Sequence, residues 1–87
     1  MRIRIKVLGN GLHSSERVVE IRTTDGTVIL TVDHTHLDDD RLEIGYPITR
    51  SDENWLVELP RETANGKWRV WVPGGEIADA PRMESVH

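Results

Sequence analysis

His34 and His36, separated by one residue and followed by Asp38, Asp39 and Asp40, are the residues whose types and spacing best suit chemistry. On an extended strand, alternate side chains point the same way. Two imidazoles on one face, with carboxylates in the next loop, make a set that a divalent ion such as zinc or nickel can use. His34, His36 and Asp38 are the ligands this spacing names. The competing reading needs no cofactor: the histidines cap the rim of a β-domain and the aspartates form a solvated turn. His13 and His87 are further imidazoles, but nothing in their spacing brings them to this set. Ser14 and Ser15 follow His13 without a Gly-x-Ser-x-Gly turn or an oriented base, so nucleophilic catalysis has no support. Residues 38–40 lack the spaced ligands, central glycine and terminal glutamate of an EF-hand loop. The expectation is a protein that is not an enzyme.

The elements that must position these residues read as strands. Arg2, Arg4 and Lys6 alternate with Ile3, Ile5 and Val7, a period of two that Gly9-Asn10-Gly11 ends. After a loop from Leu12 to Ser15, residues 17–23 form a second strand with Val19 and Ile21 inward and Val18 outward. Thr24-Asp25-Gly26-Thr27 contains the Asp-Gly pair of a tight type I′ hairpin. The third strand, residues 27–36, turns Val28, Leu30 and Val32 inward, and the same parity continues to His34 and His36. Residues 41–46 return with Leu42, Ile44 and Tyr46 inward until Pro47, and residues 48–53 read as a loop. Residues 54–73 hold all three tryptophans in two alternating runs around Asn65-Gly66, a second hairpin. Trp55, Val57 and Leu59 share one face of it, as do Trp68, Val70 and Val72, and these six are core candidates. A turn or short strand is expected near Glu76-Ile77.

Five to six short strands with no helical period predict an all-β single domain, a small antiparallel barrel with a curled sandwich as the alternative. It spans residues 1–80, with a frayed tail at 81–87. The run from Trp55 through Lys67 to Ile77 resembles the closing strands of SH3-like barrels, in which a strand ends in a short turn before a last edge strand. Two shorter resemblances bear on function. His34-Thr35-His36-Leu37-Asp38 is similar to the His-x-His-x-Asp run of metallo-β-lactamase-like hydrolases. Asp39 stands where that family places its next histidine, and 87 residues cannot hold its four-layer fold. Leu42-Glu43-Ile44-Gly45, with the initial strand, resembles the Val-Arg-Ile-Gly segment of carbon-storage-regulator proteins, which implies RNA binding. Glu43 replaces the basic residue there, and the basic segment that follows in that family is missing.

Charge argues against nucleic acid. Residues 23–62 hold ten Asp or Glu against three Arg, and the net charge is −4, whereas phosphate binding rewards clustered cations. Arg2, Arg4 and Lys6 are better placed to pair with Glu20, Glu43 or Glu58 on neighbouring strands. With no cysteine, no signal-peptide core and no membrane-length apolar run, a soluble cytoplasmic protein is expected. A chain of 87 residues without Phe buries a modest core, so association is an expected further source of stability. By parity Val18, Ile29, Leu56 and Trp71 point outward, and several apolar residues together mark an interface. Unless the C-terminal segment covers Trp71, these residues and the acidic loop Asp38, Asp39 and Asp40 predict a protein-binding module. It would take a basic protein partner or a second copy, as a homodimer. Divalent metal binding and nucleic-acid binding are the alternatives.

Overall fold

The computed structural model describes residues 1–45 and 47–79. The inward placing of Tyr46, the frayed tail at 81–87, His87 and any cover that tail lends to Trp71 lie outside the described residues.

The chain is all-β, and its described residues form ten short strands in three antiparallel sheets. β10 (Ile77–Asp79), β1 (Arg2–Arg4), β6 (Arg41–Glu43) and β5 (Leu37–Asp38) lie side by side in that order. β2 (Lys6–Asn10), β3 (Glu16–Thr23) and β4 (Gly26–Asp33) form the second sheet, and β7 (Thr49–Ser51), β8 (Asn54–Glu58) and β9 (Arg69–Pro73) the third. Among the described residues no sheet closes on itself, so the expected barrel is replaced by three small sheets around one core. Each sheet contributes: Ile3, Ile5, Leu42 and Ile44 at the first, Val19, Ile21, Leu30 and Val32 from the second, Trp55, Val57, Leu59, Val70 and Val72 from the third, all buried. Full burial of one such aliphatic side chain contributes roughly 1.5–3 kcal/mol, so these residues dominate the fold's stability.

The initial amphipathic run is not one strand. It breaks at Ile5, whose N–H donates to the Asp40 carbonyl at 2.9 Å, and the chain passes there from the first sheet to the second. Val7 pairs with buried Val19, as the alternation requires, but a bulge between Val7 and Gly9 interrupts the ladder before it resumes at Gly9↔Val18, and Val7 is 41% exposed. The β3–β4 turn occurs one residue earlier than the Asp-Gly pair implies. Thr23 pairs with Gly26 across Thr24-Asp25, and of these four residues Gly26 alone has a positive φ, +117°. A type I′ turn needs positive φ at both central residues. Thr23 stabilises the alternative: its hydroxyl donates to the Gly26 carbonyl (2.7 Å) and accepts from the Asp25 N–H (3.2 Å).

The structure corrects three further expectations. β4 stops at Asp33, and residues His34–His36 form a 3₁₀ turn with both imidazoles exposed, so the core face does not end in two histidines. The expected loop at 48–53 contains β7, paired with β8 through Thr49↔Leu56, Arg50↔Trp55 and Ser51↔Asn54. Trp68 is outside β9 and 49% exposed. The ladder between β8 and β9 runs from Asn54↔Pro73 to Glu58↔Arg69, with one more bond from Leu59 N–H to the Trp68 carbonyl. Pro60 has no N–H to continue it. Residues 60–68 instead fold around buried Thr63, whose hydroxyl donates to Asn65 Oδ1 at 2.6 Å and accepts from the Lys67 N–H at 2.9 Å. The remaining five tryptophan-hairpin candidates are buried as expected.

Candidate functional site

Leu56 and Trp71 are brought together. They are directly opposed across β8 and β9, on the face away from Trp55 and Val57, and both are half-buried. Cross-strand partners lie close enough for their side chains to touch, so they form one apolar patch. Val18 and Ile29 belong to the second sheet, on β3 and β4, where they pair with Thr31 and Glu20. Ile29 is 40% exposed. The four outward residues are thus shared between two sheets, with Leu56 and Trp71 the directly opposed pair.

Trp71 also lines a groove of about 190 Å³ between the β3–β4 turn and β9. Val28 and Val70 contribute to its walls, and Lys67, Arg69, Asn65 and Asp25 supply charge and hydrogen-bonding capacity. The two sides are joined by a bond from the Thr24 N–H to the Trp71 carbonyl at 2.9 Å. Among the described residues neither the Lys67 ammonium nor the Arg69 guanidinium is engaged in an ion pair or a hydrogen bond. Chain alternation points to Trp71 and, two residues before it on the same face, to Arg69, but not to Lys67, which belongs to the loop rather than the strand.

The acidic residues sit elsewhere. Asp39-Asp40 is the two-residue turn of the β5–β6 hairpin, between Asp38 and its partner Arg41, and Asp39 has φ +61°. All three carboxylates are exposed, and Asp38 Oδ2 lies 3.8 Å from Arg2 Nη1. Arg2 is also 3.9 Å from Glu43, while Arg4 donates to the Gly75 and Ile77 carbonyls and Lys6 opposes Glu20. The basic stripe of the first strands is therefore largely spent on neighbours within the fold.

Of the proposed metal ligands, His34 and His36 belong to the 3₁₀ turn and Asp38 to β5. His36 lines a separate groove with Glu43 and Glu58. Among the described residues no three His, Cys, Asp or Glu side chains are grouped to hold a metal ion. His34 is tied to the loop after His13 by its N–H bond to the Ser15 carbonyl, 2.8 Å.

The turn itself is organised by Asp33. Its Oδ1 accepts from the Thr35 N–H at 2.9 Å and from the Thr35 hydroxyl at 2.8 Å, an Asx turn that competes with continuation of the strand. The Thr35 N–H foremost, then the Thr35 hydroxyl and, more weakly, the positive charge of His34 and His36, holds the Asp33 carboxyl below its ordinary 3.8. A carboxyl lowered in the folded state adds stability that is present above its unfolded value and is lost as pH falls through the folded one. Urea midpoints of the wild type are therefore expected to decline more steeply below about pH 4 than those of Asp33→Asn. Parallel pH profiles would show that the Asp33 carboxylate does not stabilise the turn.

Among the described residues no helix is long and apolar enough to cross a membrane. Comparison with known protein families, with curated proteins and with solved structures finds no match to this chain.

Proposed function

We propose that the chain is a non-enzymatic protein-binding module, of the adaptor, inhibitor or regulatory-subunit kind, that engages its partner through the Leu56–Trp71 face. The observation that carries this reading is the direct pairing of Leu56 with Trp71 beside a formed groove. A half-buried tryptophan next to a concave surface is the usual composition of an interface anchor, because such a ring gains most when its remaining surface leaves water. The exposed carboxylates of Asp38, Asp39 and Asp40 favour a basic surface on the partner, and their main effect is on association rate and specificity. A 3₁₀ turn at Gly74–Glu76 followed by edge strand β10 supports relating the closing segment to SH3-like domains. The cytoplasm is the default compartment proposed for this activity, with no cysteine in the chain to call for an oxidising one.

Trp71→Ser tests the reading. With the fold retained by amide dispersion in NMR spectra, loss of an anchor worth about 2 kcal/mol is expected to weaken partner capture or self-association about 30-fold. Leu56→Lys, on the opposed strand, should act in the same direction. Unchanged sedimentation and unchanged capture by both variants would remove the Leu56–Trp71 face as the binding surface.

A further inference from the structure

The Trp71 groove and the β5–β6 turn are complementary in charge and in size. Lys67 and Arg69 bring two unengaged cations to a groove that holds one carboxylate, Asp25. Elsewhere in the molecule most arginines are already occupied: Arg4, Arg17 and Arg50 donate to backbone carbonyls, and Arg61 lies 3.7 Å from Glu16. The groove's net charge calls for an anionic occupant. Its volume, about 190 Å³, is below the roughly 300–1,000 Å³ of sites that enclose a drug-sized ligand. A side chain or the tip of a turn fits; a nucleotide or a cofactor does not.

Such a tip exists on the chain itself. Asp39 and Asp40 form a two-residue turn whose side chains make no ion pair or hydrogen bond among the described residues. Positive φ at Asp39 makes the turn tight, and the Asp40 carbonyl is anchored by the Ile5 N–H at 2.9 Å. Resting on the reading of the Trp71 face as a binding surface, we infer that the groove receives the Asp39-Asp40 turn of a second copy of this chain. Asp40 and Asp39 then lie toward Lys67 and Arg69.

Both halves are formed before they meet. The groove wall is tied by the Thr24–Trp71 backbone bond and by the Thr23 hydroxyl, and Lys67 is presented from a loop that Thr63 holds through two bonds, one from the Lys67 N–H and one to the Lys67 carbonyl. Little conformational freedom remains to be lost in those segments on association, which is where preformed surfaces gain affinity. The contact joins two different patches, so it closes into a dimer if the second copy returns the same contact about a two-fold axis, and otherwise extends into a chain of copies.

Charge-altered variants of the full chain give the test, read by sedimentation equilibrium at low and high salt from about 10 μM to about 1 mM. The groove variant is Lys67→Glu with Arg69→Glu. The tip variant is Asp39→Asn with Asp40→Lys, asparagine being used at 39 because it tolerates positive φ. The wild type is expected to self-associate, at least about tenfold more weakly when salt shortens the screening length, and each variant alone to be about tenfold weaker or monomeric. Mixing the two variants at low salt should restore association, because the charge-reversed groove of one then meets the charge-reversed tip of the other, and the two unaltered patches still match.

A wild type that stays monomeric to the highest concentration at low salt overturns the inference, and so does association that neither variant changes. In either case loss of foreign-partner capture by Trp71→Ser would leave the protein-binding reading standing, with a different occupant for the groove.

Discussion

Replacing Trp55 with alanine is expected to destabilise the fold by about 3–5 kcal/mol, whereas the same change at Trp68 is expected to cost no more than about 1 kcal/mol. Trp55 is 9% exposed, pairs with Val72 on one side and Arg50 on the other, and carries the Arg50 guanidinium 5.1 Å from its ring centroid. Removing the indole leaves a cavity in the core shared by the three sheets and strips Arg50 of its cation–π contact. A domain of this size has a total stability of roughly 5–10 kcal/mol, so Trp55→Ala takes away a large part of it. Trp68 is 49% exposed, and much of its surface is in water before the substitution is made. Urea unfolding of the two single variants, followed by circular dichroism, gives the comparison. Equal losses of stability would mean that Trp68 belongs to the core with Trp55.

That contrast also marks how far alternation along a strand can be read. Within strands it holds for Ile3, Val19, Ile21, Leu30, Val32, Leu42, Trp55, Val57, Val70 and Val72, all buried on the faces their parity assigns, but not for Val7, which is 41% exposed beside the bulge in β2. It fails as well at residues just past a strand's end. His34 follows Asp33, the last residue of β4, and Trp68 precedes Arg69, the first of β9. In both places a local hydrogen bond competes with the ladder. Asp33 turns the chain by accepting from Thr35, and Thr63 gathers the loop by bonding Asn65 and Lys67. Asp and Thr two residues apart, and Pro60 directly after Leu59, are the signals in the sequence for these two departures.

β7 was not legible for a different reason. Thr49, Arg50 and Ser51 are all exposed, so burial imposes no alternation on their types, and the strand exists through backbone pairing with β8. At the candidate site, Trp71 and Leu56 are legible because strand parity separates them from Trp55 and Val57. The groove is not, because it forms where the β3–β4 turn meets β9, a contact between segments far apart in the chain that no local pattern encodes.

The passage from β9 to β10 sets the second large effect. Gly74 opens the 3₁₀ turn directly after Pro73, and a Cβ built there would lie 2.6 Å from the Glu53 carbonyl oxygen. That oxygen is backbone, in the turn between β7 and β8 where Asp52 has φ +57°, so it cannot swing aside as a side chain would. Gly74→Ala must push the two turns apart. Asn54 pairs with Pro73 on one side of the contact, and β10 pairs with β1 through Ile3↔Ile77 on the other, so the displacement reaches a fully buried core residue. Overpacking of this kind costs about 1–3 kcal/mol. Gly75 is the internal control: a Cβ there meets nothing within 4 Å, and its φ is not positive. Gly75→Ala is expected to stay within about 0.5 kcal/mol of the wild type, or to gain slightly from a less flexible unfolded chain. Urea midpoints decide the comparison, with amide shifts at Ile3 and Ile77 reporting the displaced strands. If the two alanine variants unfold at the same midpoint, the close approach of Gly74 to Glu53 does not constrain the fold, and β10 is held to β1 without it.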